Sequence, residues 1–546
     1  MNPAEQPPVT HVPRVVILGG GYGGIYAALG LQAEARRGRI ALSLVSRDNY
    51  FQFQPMLAEV LSGSIEPPHV VNPIRRLCRH MDFHQAEILG VDTQQRCVSI
   101  RYPGQTVNRT LPYDHLLIAV GSSSDLTMIP GMSEHAFAFR SIGDAFRLRN
   151  HIIGILEEAE VEESPLRRQA LMTFVVAGGG YTGVEVAAEI NSFVREACRS
   201  YRKVQSSEVK VIVLQAMDRI LPELTPDLAA FSQRILQRRG IEIRLNTLLK
   251  GATPERAMLA DGTSILTRTL VAAIGAATNP VVRSLVCEHD KKGRLTTDEM
   301  LRVRGLQNVW AVGDCASIPD LVTRGLCPPT AQYALRESRH VARNIKTALR
   351  GNQPKPFRFK ILGVFVPLGR FTGAAQVMGL RLSGFIAWFL YRTYYLYQLP
   401  RAERKLRVLI DWNLELFFRR DIVKQEVHAS DAVARAHYEE GETIFAEGEI
   451  ANRFYIILKG NVQVSRLRDG HREEIATLGP GDFFGEVSLL RGGARTATVR
   501  AATPVDLLTM DGTDFRAIAS TSKQFNEMIE GTIRERAGTP PPGQTK

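Results

Sequence analysis

A dinucleotide-binding turn constrains a chain more tightly than its composition does, and this chain of 546 residues carries two of them. The first is VVILGGGYGG, with Gly19, Gly21 and Gly24 at G-x-G-x-x-G spacing. The second is FVVAGGGYTGVE, with Gly178, Gly180 and Gly183 at the same spacing. Each follows a β-branched apolar run and precedes an alanine-rich helical pattern, the setting that gives the motif its meaning. The first glycine permits the tight turn, the second lets a pyrophosphate approach the backbone, and the third packs helix on strand. The helix N-terminus then offers its unpaired N–H groups to phosphate. Two such turns imply two dinucleotides on one protein, and the economical pairing is a flavin reduced by a nicotinamide.

Length predicts three or four domains. With 44% hydrophobic and 23% charged residues, large cores are possible. The net charge of +12 suits a nucleic acid or an anionic membrane surface, and the motifs must choose between them. The six cysteines (Cys78, Cys97, Cys198, Cys287, Cys315, Cys327) form no short pair, which argues against a disulfide framework, a metal site and a local dithiol. Residues 1–13 lack an apolar stretch, so no secretory signal is visible, and the expectation is a cytoplasmic chain with reduced thiols.

The first turn opens a βαβ unit whose second strand ends near Ser46, and LLIAVGS closes a further strand on Gly121. The second turn opens another unit, with strands at 209–215 and 269–276, the latter including Gly275. NVWAVGDCA (308–316) is a last strand ending in Gly313 and Asp314. The fold class is therefore α/β, with two Rossmann-like dinucleotide-binding domains, one inserted in the other. The expected spans are 12–160 and 267–350 for the flavin-binding domain and 161–266 for the nicotinamide-binding domain.

Between 351 and 424 the texture changes. GLRLSGFIAWFLYRTYYLYQLP (379–400) is aromatic and apolar, but Arg381 and Arg392 interrupt it, so it is not read as a transmembrane span. In the next segment Leu406, Leu409, Ile410, Asn413 and Phe417 share one helical face, and Arg404, Arg407, Asp411 and Glu415 another. Residues 381–424 hold nine Lys/Arg against four Asp/Glu. A basic amphipathic pair with aromatics fits a helical anchor on a membrane surface. A hairpin covering a soluble core or a dimer interface is the alternative. From 430 to 525, short strands alternate with glycine turns, as in a small barrel or jelly roll, and 526–546 is expected to be a disordered tail.

Several stretches beyond the glycine turns (FQFQPML at 51–57, GGGYTGVEVAAEI, AVGDCA, PPTAQYA at 328–334, DWNLELFF) resemble the type II NADH:quinone oxidoreductases, over about residues 14–424. The resemblance implies FAD in the first fold, NADH in the second, a quinone entering from the membrane side, and a homodimer. It also implies a peripheral protein on the cytoplasmic face of the inner membrane, passing electrons into the respiratory chain without pumping protons. Carried over, Gly19, Gly21 and Gly24 cradle the FAD pyrophosphate and Asp314 binds the ribityl chain. Gly178, Gly180 and Gly183 hold NADH, Glu185 lies near nicotinamide and flavin, and Gln332 contacts quinone. Glu185 also has a plainer reading, an acid in the first turn of a helix favoured by the dipole, and Gln332 is otherwise an ordinary polar helix residue.

The chain departs from that pattern at three places. Ser46 stands where many such folds place an acid for the adenosine ribose, and a serine still bonds a hydroxyl. Gln215 stands where the NADH site normally has glutamate; a neutral amide does not repel a 2′-phosphate, so NADPH use beside NADH is expected. Arg336 replaces a second glutamine in the quinone stretch.

The run FGEVSLLRGGARTATV (484–499) resembles the phosphate-binding cassette of cyclic-nucleotide-binding domains. There Glu486, after Gly485, would bond the ribose 2′-OH. Arg495 would pair with the cyclic phosphate, and Thr496 would sit near phosphate or base, with cAMP ahead of cGMP. A guanidinium suits a phosphodiester because it bonds it bidentately. A barrel kept only for docking is the alternative. No helix-turn-helix follows, so a nucleic acid partner is not expected. Two other functions stay open: another two-dinucleotide reductase, such as a sulfide:quinone or ferredoxin reductase, and a redox and cyclic-nucleotide receptor with little turnover.

Overall fold

Apolar β-branched runs that cannot face water on either side form strands at the centre of parallel sheets. RVVIL (Arg14–Leu18) and TFVVA (Thr173–Ala177) are such runs, almost wholly buried, and each leads into a glycine turn and a helix, Tyr22–Arg36 and Tyr181–Ala197. The computed structural model describes residues 11–103, 105, 107–274, 276–361, 363–425, 433–449, 451–468, 471–491, 494–512, 514–515, 519 and 523–536.

The duplication extends to whole sheets. The first runs Val309–Ala311, His115–Ile118, Arg14–Leu18, Ala41–Ser46, Asp82–Gln85, with every neighbour parallel. The second runs Ala136–Ala138, Thr269–Ala272, Thr173–Ala177, Lys210–Leu214, Ile241–Arg244, again all parallel. In both, the strand that carries the glycine turn is third of five. The second sheet thus draws strands from 136–138 and 269–272, outside the 161–266 span expected for it: Thr269–Ala272 pairs with Thr173–Ala177, and Ala136–Ala138 adds to its free edge.

A three-stranded antiparallel sheet (Gly363–Pro367, Gly373–Val377, Leu380–Ser383), absent from the sequence-based expectation, leads into a hairpin of two helices, Gly384–Gln398 and Ala402–Phe417. Beyond it, two four-stranded antiparallel sheets enclose a separate core that includes Phe445, Tyr455, Ile457, Val462, Phe484 and Leu507. The expectation of a disordered tail from 526 fails over 526–536: the helix Lys523–Arg536 buries Ile529 and Ile533 against Phe454, Leu489 and Phe515. Residues 537–546 lie outside the described residues.

Candidate functional site

The two glycine turns are built alike. Gly19 and Gly178 adopt φ of +107° and +111°, which L side chains rarely tolerate, and each N–H donates to the neighbouring strand (Val45 and Leu214, both 2.8 Å). A Cβ on Gly24 or Gly183 would overlap the carbonyl oxygen of Gly19 or Gly178. By contrast, nothing lies within 4 Å of where a Cβ on Gly21 would sit, so this backbone is open to a ligand phosphate. Ser46, buried at the end of its strand, abuts Gly20, where a larger side chain would close the turn. A cleft of about 420 Å³ follows it, lined by residues that include Arg47, Glu87, Arg101 and Tyr102.

Gly121 (φ +64°) and Gly313 (φ +74°) end the strands opposite. The Gly313 N–H donates to Glu337 Oε2 at 2.8 Å, and burial pushes that carboxyl up to about 7. Asp314 accepts from Ser122 Oγ at 3.3 Å, and Ser122 in turn accepts from Arg140 at 2.7 Å. Burial raises the Asp314 pKa despite Arg140 nearby. A buried carboxyl beside a glycine cradle suits a polar, hydroxylated chain, and these residues fit a flavin dinucleotide.

In the second fold Gln215 is buried, and both ends of its amide are engaged. Its oxygen accepts the Gly179 N–H and its nitrogen donates to the Arg219 carbonyl, each at 3.0 Å. It therefore braces the second glycine turn directly. Gly275 lies outside the described residues.

Tyr22 and Tyr181 open the two helices, and both stand within electrostatic reach of Tyr395 on the hairpin. Tyr395 stands edgewise to Phe53 with ring centroids 6.1 Å apart and shares a cavity wall with Gln332. Tyr22, Phe53, Gln332, Arg336, Tyr395 and Gln398 are among the residues that line one cavity there. The Tyr22 hydroxyl is buried and has no hydrogen-bond partner among the described residues, which leaves one donor to a ligand. Arg336 reaches over the Phe359 ring, 5.5 Å from its centroid.

Glu185 is the fifth residue of Tyr181–Ala197, not in its first turn, so the dipole reading is not supported. Burial pushes its pKa up to about 8, with Glu59 and Glu189 adding to the rise. Glu59 itself is raised to about 7, chiefly by burial. Glu59 belongs to a network that sequence reasoning missed. Arg392 donates to Glu59 Oε2 and Glu415 Oε2, both at 2.7 Å, while lying between Trp388 and Trp412 (4.0 and 4.6 Å to the ring centroids). Arg420 joins Glu415 and Glu189 at 2.9 and 3.2 Å, which ties the hairpin to the nicotinamide-side helix. Glu415, read from the sequence as one of four charged residues on a second face of its helix, is buried for this reason. The stripe Leu406, Leu409, Ile410 and Phe417 is exposed, as are Phe385 and Phe389. Among the described residues no helix is long and apolar enough to cross a membrane.

Cys315 and Cys327 are buried free thiols, each pushed up to about 12 by burial, and so held as thiols at neutral pH. This speaks against a catalytic cysteine pair.

In the last domain Gly485 (φ +86°) precedes Glu486, which is buried at the start of the helix Glu486–Arg491. Arg495 is 3% exposed. It donates to the carbonyls of Gly485 (2.8 Å) and Arg453 (2.7 Å) and lies 4.1 Å over Phe445. Thr496 is exposed and its carbonyl accepts from Arg466.

Residues 13–337 match the family model for pyridine nucleotide-disulphide oxidoreductases, and 435–522 match that for the cyclic nucleotide-binding domain. The chain is similar to a probable NADH dehydrogenase of Dictyostelium discoideum, 30% identical over 419 residues, covering 75% of this chain and 90% of that protein. It is also similar to the type II NADH:quinone oxidoreductase Ndh of Mycobacterium tuberculosis, 30% identical over 465 residues, covering 82% and 97%. Among solved structures, NDH2 of Plasmodium falciparum in complex with NADH superposes with a TM-score of 0.70 at 20% identity, covering 76% of this chain and all of that one.

Proposed function

Given that this chain belongs to the type II NADH:quinone oxidoreductases, we propose that it runs their reaction through FAD, on a membrane surface, under the influence of a cyclic nucleotide. The observation that supports the catalytic part is a cavity beside the first glycine turn, walled by Tyr22, Phe53, Gln332, Arg336 and Tyr395. Gly19, Gly21 and Gly24 hold the FAD pyrophosphate, with Ser46 and the cleft at Arg47 toward the adenosine and Gly121, Gly313 and Asp314 toward the ribityl chain. Bound FAD supplies the two-electron relay between nicotinamide and quinone.

The protein positions the partners and excludes water. Gly178, Gly180 and Gly183 hold the nicotinamide nucleotide so that hydride transfer becomes a matter of alignment. Glu185, protonated at neutral pH, holds a proton close to the place where the quinone must gain two. Gln332 and the Tyr22 hydroxyl offer hydrogen bonds to a quinone carbonyl, and Arg336 supplies positive charge at the same cavity. Gln215 carries no charge to repel a 2′-phosphate, so NADPH serves beside NADH.

The exposed stripe of the hairpin, with the basic residues around it, is the membrane contact, on the cytoplasmic face. The protein works as a homodimer. Glu486 and Arg495 bind the ribose and phosphate of a cyclic nucleotide, cAMP ahead of cGMP, with Gly485 shaping the turn and Thr496 at its edge.

Purified protein tests this reading. It should release FAD on denaturation, oxidise NADH in the presence of a short-chain quinone, and bind cAMP in calorimetry. Fast NADH oxidation without a flavin, or flavin that NADH does not reduce, would overturn the catalytic part.

A further inference from the structure

Several contacts fasten the last domain to the nicotinamide-binding part. Arg167, in the helix Pro165–Leu171, pairs with Glu449 at 2.6 Å. Thr253 Oγ1 donates to Glu442 Oε1 at 2.9 Å. His135 Nε2 lies 2.8 Å from the His437 carbonyl and 3.0 Å from the His437 N–H, so it bonds the His437 backbone in either tautomer, and burial pushes the His135 pKa down to about 4.

Glu449 faces both ways. Its carboxylate crosses to Arg167, while its carbonyl accepts the Arg495 N–H at 2.7 Å. The Gly448 N–H completes the pair by donating to the Arg495 carbonyl at 2.9 Å. The turn that carries Glu449 is therefore bonded in both directions to the backbone of the phosphate-binding arginine. The Arg495 guanidinium rests on two neutral carbonyls, and its Nε has no hydrogen-bond partner among the described residues. A phosphodiester competes with the carbonyls for that fork, because it brings a full opposite charge and accepts the planar guanidinium bidentately. At the far end, the helix Pro165–Leu171 runs through Met172 into Thr173–Ala177, the strand that ends on the Gly178 turn. His135 likewise adjoins Ala136–Ala138, the edge strand of the same sheet.

We propose that Arg167 and Glu449 form a coupling latch. A cyclic phosphate that draws on Arg495 displaces the Gly448–Glu449 turn, and the latch passes that displacement to the nicotinamide glycine turn. The bound nucleotide therefore changes the affinity for NADH and leaves that for quinone alone. The inference rests on the reading that Glu486 and Arg495 take a cyclic nucleotide. Linkage makes it reciprocal, since NADH must shift the affinity for the cyclic nucleotide by the same factor.

The test uses the full-length, flavin-loaded protein. Cyclic AMP and cGMP binding is measured by calorimetry, and the KM values for NADH and quinone are measured with and without saturating nucleotide. We expect the KM for NADH to move about fivefold, with the quinone KM unchanged. Arg167→Ala and Glu449→Ala should bind the nucleotide as the native chain does and lose the shift. The exchanged pair, Arg167→Glu with Glu449→Arg, should recover it. A nucleotide that binds without moving the NADH KM overturns the latch, as does a shift that survives in Glu449→Ala. Failure of both nucleotides to bind overturns the reading of Glu486 and Arg495, and the latch with it.

Discussion

Replacing Arg392 by methionine, which keeps length and apolar bulk, removes one cation from between two carboxylates. In the native chain Glu59 and Glu415 each lie 2.7 Å from the guanidinium, and all three side chains are buried. Burial pushes Glu415 up, but Arg392 and Arg420 more than offset it, and its carboxyl ends below the ordinary range. Breaking a buried pair by removing one partner costs about 3–5 kcal/mol, because the remaining charge is left uncompensated. The sandwich between Trp388 and Trp412 puts this residue toward the upper end, since a desolvated cation–π contact adds about 2 kcal/mol.

The cost depends on pH in a defined direction. Without Arg392 both carboxyls rise, so the folded chain must hold protons that the unfolded one releases above about 4.3. The deficit therefore opens as pH climbs past that value, is greatest near and above neutrality, and shrinks toward acid. Peptide-resolved hydrogen exchange over 384–417 is the assay, because one melting temperature is ill defined for a multidomain chain. The variant should lose about a hundredfold or more in protection there at pH 7.5, and less at pH 5.5. Neutralising the carboxylates as well, in Glu59→Gln/Arg392→Met/Glu415→Gln, should restore much of it. Unchanged protection in the single variant, or a triple variant no better than the single one, would refute the reasoning.

Four further outcomes follow from the same geometry. Gln215→Glu places a negative charge against the 2′-phosphate, so kcat/KM for NADPH should fall about tenfold or more relative to NADH; an unchanged ratio in steady-state assays counts against that site. Glu185→Gln removes a carboxyl with pKa about 8, so the loss of quinone reduction as pH rises through that value should flatten; a profile like the native one removes Glu185 from proton delivery. Gly183→Ala forces a Cβ onto the Gly178 carbonyl, and NADH binding should collapse while bound flavin stays near one per chain, both read by absorbance titration. Leu409→Asp with Ile410→Asp charges the exposed stripe, and flotation with anionic vesicles should fall at least severalfold; equal flotation would leave the stripe to another surface.

The elements easiest to read from sequence were those fixed by local sterics. Gly19 and Gly178 announce their turns because few other residues take that backbone angle, and the apolar runs before them could only be central strands. Ser46 was expected at the end of its strand and is found there, buried against Gly20. What escaped depends on distant partners. Glu415 reads as one stripe of a surface helix until Arg392 and Arg420 are placed beside it. Glu59 has no signature at all, since its partners Arg392 and Trp412 lie more than 300 residues away. The strand at 136–138 escaped because its only tie to the second sheet is the edge of Thr269–Ala272, more than 130 residues away. The helix over 526–536 was hidden because its apolar face is narrow and its partners lie in the preceding barrel. The seam through Arg167 and Glu449 joins two ordinary surface charges that no pattern links.

The central claim is that one flavin stands between nicotinamide and quinone in this chain. Anaerobic stopped-flow absorbance on the FAD-loaded protein tests it most directly, with NADH in the first mixing and a short-chain quinone in the second. The flavin band should bleach on the first and return on the second, both at rates at least equal to steady-state turnover. A flavin that stays oxidised with NADH, or that bleaches and is not reoxidised by quinone, would contradict it.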